Sequence, residues 1–288
     1  LEKIRDLSVL IVGDIVLDRW CIYEPEASDV SRETGIPRTA VVGVERTPGA
    51  GGTVAGNLAA MGVRRVSVLG IIGADGHGFE LRQALLARGI RSDAMVVAEG
   101  FQTFTYSKLL NISTGQEDLP RVDFVNLAPP PPEAERQLMR QLETAWPQTD
   151  VVIVSDQAET TSGGVVTEQV GNLVARLAGR DPGKIVWADS RLRSDEFRNV
   201  ILKPNQSEAE AACRRLFGAV DYQKLRRHCS SPLLVVTAGG DGAILVHEHG
   251  ELQSPTRHIR KPVDICGAGD SFSAGAACAL AVTGSPLE

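Results

Sequence analysis

Short runs rich in valine and isoleucine alternate with longer amphipathic stretches through most of this chain, and that alternation restricts its architecture more than any other feature. The runs are SVLIVGD at 8–14, RVSVLGIIG at 65–73, DVVIVSD at 150–156, KIVWADS at 184–190, VILKPN at 200–205 and LLVVTAGG at 233–240. Continuous apolar runs of this length read as strands buried on both faces. Between them, HGFELRQALLARG, EAERQLMRQLETAW, VVTEQVGNLVARLAG and SEAEAACRRLFG carry apolar residues at helical spacing, most ending near glycine. Strand and helix in alternation predict a parallel sheet covered by helices. Two segments, 19–46 and 101–126, break the rhythm. FTYSKLLNI and RVDFVN in the second alternate in and out as half-exposed strands do, which predicts a small extra sheet built from two insertions. LAPPPPEAE reads as a stiff connector into a helix, because proline suits a helix's first turn and disfavours helix before it. HEHGELQSP reads as a hairpin turn.

Composition narrows the function by exclusion. The 288 residues suffice for one large domain. No apolar stretch approaches the roughly 18 residues a membrane helix needs, so no membrane span is expected. A net charge of −6, with both signs scattered, argues against a nucleic-acid surface. The five cysteines (Cys21, Cys213, Cys229, Cys266 and Cys278) are far apart and form no C-x-x-C pair. They indicate neither a disulfide framework nor a zinc site and fit a reducing cytoplasm. LEKIRDLSVLIVGD lacks a long apolar region followed by a cleavage site, so no signal peptide is expected.

In open α/β sheets, ligands sit beyond the carboxyl ends of the strands. The residues there are polar: Asp14, Asp156, Asp189, Asn205, and Thr237 with Gly239. Any one carboxylate could simply cap the next helix. Several aimed at one crevice favour a polyanion or metal–phosphate site. DICGAGDSFSAGAA at 264–277 adds Gly267, Ala268 and Gly269 ahead of Asp270. Their bare backbone N–H groups at a helix start could face an anion, favoured by the helix dipole. If that anion is the transferring phosphoryl group of ATP, Asp270 is placed to accept a proton from an attacking hydroxyl. The other reading is a small-residue loop for close helix packing, with Asp270 as a cap.

The motif DICGAGDSFSAGAA resembles the C-terminal signature of the ribokinase-like, phosphofructokinase-B sugar kinases. PGAGGTVAGNLAAMGVRRVSVLGIIGADGHG resembles their N-terminal signature, and KPNQSEAE resembles their Asn-x-x-Glu element. The resemblance covers nearly the whole chain. It implies one α/β domain over 1–288, a three-layer sandwich with a mainly parallel sheet and a small β-sheet lid formed by 19–46 and 101–126. It also implies ATP as donor and Mg2+ bridging phosphates. By it, Asp270 is the base; Gly267, Ala268 and Gly269 form the anion hole; Asn205 and Glu208 organise the metal and its water. Asn205, Thr237, Gly239 and Gly242, with Gly267 and Gly269, would meet the nucleotide. Asp14, Asp18, Gly51, Gly52, Thr53, Asn57, Lys108, Asp156 and Asp270 would meet the sugar. Two residues depart from the pattern. Ile265 stands where the family usually has a small or hydroxylated residue, beside a monovalent-cation site that some members carry. Thr53 stands where asparagine is common.

Within the family, VGDIVLDRW, SRETGIPRTAVVGVERTPGAGG, TYSKLL and RVDF resemble segments of heptose-7-phosphate kinases. A second phosphate on the acceptor needs cationic partners, which Lys108, Arg121 and Arg191 or Arg193 could supply. SDQAETTSGG keeps Asp156 but lacks the cation those enzymes carry nearby. No aromatic pair in the lid suggests stacking of a nucleoside base. The alternatives are a kinase of another sugar or of a nucleoside in the same family, and a non-catalytic sugar-binding regulator on the same fold, against which retained Asp270 speaks. Neither G-x-G-x-x-G in register nor G-x-x-x-x-G-K-[ST] is present. Alternation in both lid segments predicts edge pairing into a homodimer.

Overall fold

Strands stay apolar on both sides only where helices cover both sides. The computed structural model, which describes residues 2–285 apart from 158, 161, 258 and 260–265, has that arrangement. Its first part runs β1 (Ser8–Gly13), β2 (Ile15–Tyr23), β3 (Val41–Ala50), α1 (Gly51–Ala60), β4 (Arg65–Leu69), β5 (Ile71–Gly73), α2 (Gly76–Leu86), β6 (Val96–Ala98), β7 (Thr105–Asn111) and β8 (Val122–Phe124). There follow α3 (Pro132–Ala145), β9 (Val151–Asp156), α4 (Glu168–Arg180), β10 (Ile185–Ser190), β11 (Ile201–Leu202), α5 (Gln206–Phe217), α6 (Tyr222–His228), β12 (Leu234–Thr237), β13 (Ala243–His247), β14 (Gly250–Ser254) and α7 (Ala268–Thr283).

The large sheet has the order β14-β13-β12-β11-β10-β9-β1-β4. It is parallel from β4 to β12, and the β13–β14 hairpin extends it antiparallel. Alternate residues of each strand feed opposite cores. Leu10, Val12, Val152 and Val154 pack with α3, α4, α5 and α6 through Leu138, Leu173, Ala209 and Leu225. Val9, Ile11, Ile153 and Trp187 pack with α1, α2 and α7 through Leu58, Leu81 and Ala277. The result is the expected three layers. The chain leaves β1 toward β4 on one side and later returns through β9 on the other, so the sheet order reverses at β1. A crevice opens at such a point.

Where the sequence suggests one strand over 65–73, the structure divides it at Gly70. A Cβ there would lie 2.6 Å from the Gly13 carbonyl oxygen, and the chain turns past β1 to pair β5 with β6 instead. The 200–205 run yields only two strand residues because Pro204 has no N–H to give. The proline run delivers α3 with Pro132 in its first turn.

The smaller sheet, β3-β2-β7-β8, is built from the two interruptions, but its first part is longer than 19–46. β2 begins at Ile15, straight after β1, and β3 continues to Ala50, because Ile15, Val16 and Leu17 bury against the body as well as the lid. Glu80 of α2 fixes the root of this sheet, with Arg19 Nε of β2 at 3.2 Å and Arg46 Nε of β3 at 2.9 Å. Among the described residues no helix is long and apolar enough to cross a membrane.

Candidate active site

Glycine opens α7 for a conformational reason. Gly267 caps the helix at φ 74°, a left-handed backbone that side chains resist. Its carbonyl accepts the Ser271 amide at 2.9 Å, which leaves the N–H groups of Ala268, Gly269 and Asp270 ahead of the first helical bond. Among the described residues nothing accepts from these three amides. Ala268 and Gly269 are exposed, so the turn opens outward rather than packing a neighbour. A Cβ on Gly269 would come within 3.4 Å of Lys203 Nζ.

Asp270 stands half-buried in a cleft of about 310 Å³ between this turn and the lid. Burial pushes its carboxyl up to about 6. Asp189 adds to the rise, Lys203 and Arg191 oppose it, and Asp18 adds a little more. The lid contributes Asp18, Trp20, Tyr106, Lys108 and Arg121; the loops after β9 and β10 contribute Gln157, Glu159 and Arg191. Burial also raises the Asp18 carboxyl, against the pull of Lys108 and Arg121. Every cation here has a local partner. Lys108 lies 4.0 Å from the centre of the Trp20 ring, Arg121 covers Tyr106 at 4.6 Å and meets Asp123 at 2.7 Å, and Arg191 pairs with Glu159.

A larger cavity of about 560 Å³ shares Asp18 and Thr53 with this cleft and runs along α1 past Gly52 and Asn57. Asp18 fits there because Gly49 has no side chain; a Cβ would stand 2.5 Å from Asp18 Oδ2. Thr53 Oγ1 donates to the Pro48 carbonyl, and Asn57 Nδ2 donates to Ser271 Oγ at 3.1 Å, joining α1 to α7. Ala50, just before α1, holds φ 50° without being glycine.

Several expected sugar contacts take other places. Asp14 is fully buried behind the cleft; its Oδ1 accepts the Val165 amide at 2.9 Å and its Oδ2 the Gln157 amide at 2.8 Å. Gly51 lies in the core, where a Cβ would press on Ile15 and Ile11. Asp156 is buried with Arg193 NH2 at 2.5 Å and Ser190 Oγ at 2.6 Å. Arg193 also donates to the Val166 carbonyl, so this pair fastens a loop and does not face the cleft that holds Arg191.

On the expected nucleotide side, Asn205 and Glu208 form a capping box. Asn205 Oδ1 accepts the Glu208 amide at 2.9 Å, and Glu208 Oε2 accepts the Asn205 amide at 2.8 Å. Burial raises the Glu208 carboxyl against the Asn205 amide, with Asp189 adding to the rise. Thr237 sits beside Asn205, donating its amide to the Pro204 carbonyl. Gly239 has open space where a side chain would be. Gly242 has a structural reason of its own: a Cβ would strike the Ser254 carbonyl at 2.1 Å. Ile265 lies outside the described residues.

Trp20 and Tyr106 line the same cleft, a pairing that the sequence alone does not reveal. They lie two residues along from Asp18 and before Lys108 in the register Asp18↔Tyr106, Trp20↔Lys108. The i, i+2 spacing of both pairs was visible, but the parallel pairing that aligns them was not. Lys203 and Glu159 were also missed.

A three-layer sheet that hands a glycine-capped helix start and an adjoining carboxylate to a cleft under a small β-sheet defines the ribokinase-like kinases. Residues 8–288 match the profile of the pfkB family carbohydrate kinases, and the chain belongs to that family. It is 31% identical over 298 residues to the bifunctional protein HldE of Nitrosococcus oceani, covering 100% of this chain and 59% of that one. It is 33% identical over 290 residues to HldE of Methylococcus capsulatus, covering 97% and 57%. The chain thus spans under three fifths of these relatives. In fold it is similar to a tetrameric inhibited form of phosphofructokinase-2 from Escherichia coli (TM-score 0.71, 20% identity, 97% of this chain and 89% of that one). It is also similar to Arabidopsis thaliana ribokinase complexed with ribose and ATP (TM-score 0.64, 18% identity, 98% and 88%).

Asp270 gives the site a stability signature. With its carboxyl near 6 in the fold against 3.8 ordinarily, the unfolded chain loses this proton first as pH rises. Stability therefore falls from about pH 4 through 6, by up to ~3 kcal/mol less what water screens. Asp270→Asn removes that penalty, so its Tm should exceed the wild-type value at pH 8 and equal it at pH 4. An identical difference at both pH values would contradict the buried ionisation.

Proposed function

We propose that this chain transfers the γ-phosphate of ATP to a hydroxyl of a sugar that already carries a phosphate, with a heptose 7-phosphate and its anomeric hydroxyl as first choice. The carrying observation is Asp270: a half-buried carboxyl near 6, opening onto the cleft next to three amides that have no acceptor among the described residues. Asp270 takes the proton of the attacking hydroxyl, while Ala268, Gly269 and Asp270 present N–H groups to the growing negative charge. Asp18, Gly52, Thr53 and Asn57 orient the sugar. Lys108, Arg121 and Arg191 give the cleft the cations a second phosphate calls for. The lid excludes water from the transfer. A nucleoside is less favoured, since cations already cover the Trp20 and Tyr106 faces.

The donor set suits magnesium held chiefly by phosphate and water. Glu208 offers one carboxylate and Asn205 one amide, both engaged in a cap, which matches a small hard cation that keeps its waters. Mg2+ would supply charge neutralisation across the phosphate oxygens. Thr237 and Gly239 border the nucleotide, and the two sheets work as one kinase domain. A cytoplasmic setting agrees with the absence of disulfides among the described residues.

ATP consumption screened over sugars and sugar phosphates should give one strong acceptor, with kcat/KM rising through about pH 6 as Asp270 ionises. Asp270→Asn should lower its turnover by about 10²–10⁴ while ATP still binds. Unchanged turnover would remove the mechanism. Lys108→Met should raise KM for the phosphorylated acceptor about tenfold and leave its unphosphorylated analogue unaffected; an equal effect on both would place the phosphate elsewhere. β3 is an edge strand with exposed Val41 and Val42, and exposed Val30 and Ile36 precede it, which supports a homodimer formed through the lid. Sedimentation should give a dimer that Val42→Lys dissociates.

A further inference from the structure

We infer that Lys203 is a positioning residue for this reaction: its ammonium, buried under the 267–269 turn and tied to Asp189, supplies the positive charge against which the Asp270 carboxylate works. The inference rests on the reading of Asp270 as base.

A lysine is seldom buried, because withdrawing its ammonium from water is costly unless an opposite charge meets it. Lys203 is 5% exposed, the only buried lysine among the described residues. Its amide donates to the Ala188 carbonyl at 2.9 Å, which continues the sheet one residue past β11 and carries the side chain to the carboxyl end of the strands. There Nζ meets Asp189 Oδ2 at 2.8 Å. The same oxygen accepts Ser273 Oγ at 3.2 Å, so Asp189 holds the second turn of α7 while Lys203 balances its charge. Gly269 completes the arrangement. A Cβ there would stand 3.4 Å from Nζ, so the second glycine of the turn sets bare backbone next to the ammonium.

The charged groups facing Asp270 come from every side of it: Asp189 on β10, Lys203 after β11, Arg191 in the loop after β10, and Asp18 on the lid. Two are anions and two are cations. Arg191 is 48% exposed and already paired with Glu159, so water and Glu159 blunt its field. Lys203 is shielded from water, and its partner Asp189 is itself one of the two anions that face Asp270. Glu208 faces the same ammonium and the same Asp189. Without Lys203, three carboxylates would crowd this end of the sheet, opposed mainly by a half-exposed arginine, and Asp270 would hold its proton more tightly.

The test compares Lys203→Gln, Lys203→Arg and Asp189→Asn with the wild type in the full chain, following the Asp270 carboxyl by carbon NMR across pH. Asp270→Asn assigns the signal. Lys203→Gln should move the midpoint up by about one pH unit, Lys203→Arg should restore most of it, and Asp189→Asn should move it down. With MgATP and a heptose 7-phosphate, the acid limb of kcat/KM should follow the same order. A merely structural lysine would lower Tm and leave the midpoint in place, which would overturn the inference. Should Lys203→Gln fail to fold, an unmoved midpoint in Asp189→Asn overturns it equally. The base reading fails separately, if Asp270→Asn retains wild-type turnover.

Discussion

Hydrogen bonds at one residue join the parts of this molecule that must meet. The Asp14 amide donates to Ser155 of β9 at 2.8 Å, its carbonyl accepts the first amide of α1 at 3.0 Å, and its carboxylate accepts the Gln157 and Val165 amides. Fully buried, the carboxylate is made tolerable by these backbone donors. Gly13 beside it permits the approach: a Cβ there would strike the Ser155 carbonyl at 2.1 Å. β1, β9, α1 and the lid strand β2 thus share a single junction, and the cleft is what remains open around it.

Charge is distributed around that cleft in two tiers. Outside, the lid cations rest on aromatic rings or exposed carboxylates, where water and salt weaken their pairings and an incoming anion can compete. Inside, Lys203, Asp189 and Ser273 form a dry network under the start of α7. The outer tier suits selection of an acceptor; the inner one suits a fixed field at Asp270, the base proposed above.

The fold was readable because valine and isoleucine runs report burial on both faces without reference to distant partners. GAGD left two uses open as letters, an anion-facing turn or a loop for close packing; what the structure adds is that Gly267 opens α7 with Ala268 and Gly269 exposed. What stayed hidden depended on register and depth. Asp14 and Asp18 both follow the first strand and look equivalent as letters. Only the departure of β2 shows that one turns into the core and the other into the cleft. Lys203 reads as an ordinary surface charge until β10 and β11 are set side by side, and Asp156 with Arg193 looks like a ligand pair until Ser190 and Val166 claim them.

The fork that Glu80 makes with Arg19 and Arg46 ties the roof of the site to α2. Arg19 and Arg46 stand opposite each other in the β2–β3 register, and the one carboxylate between them meets both. Without Glu80, two like charges would face each other across neighbouring strands, so a single acid on the body keeps the seam of the small sheet neutral.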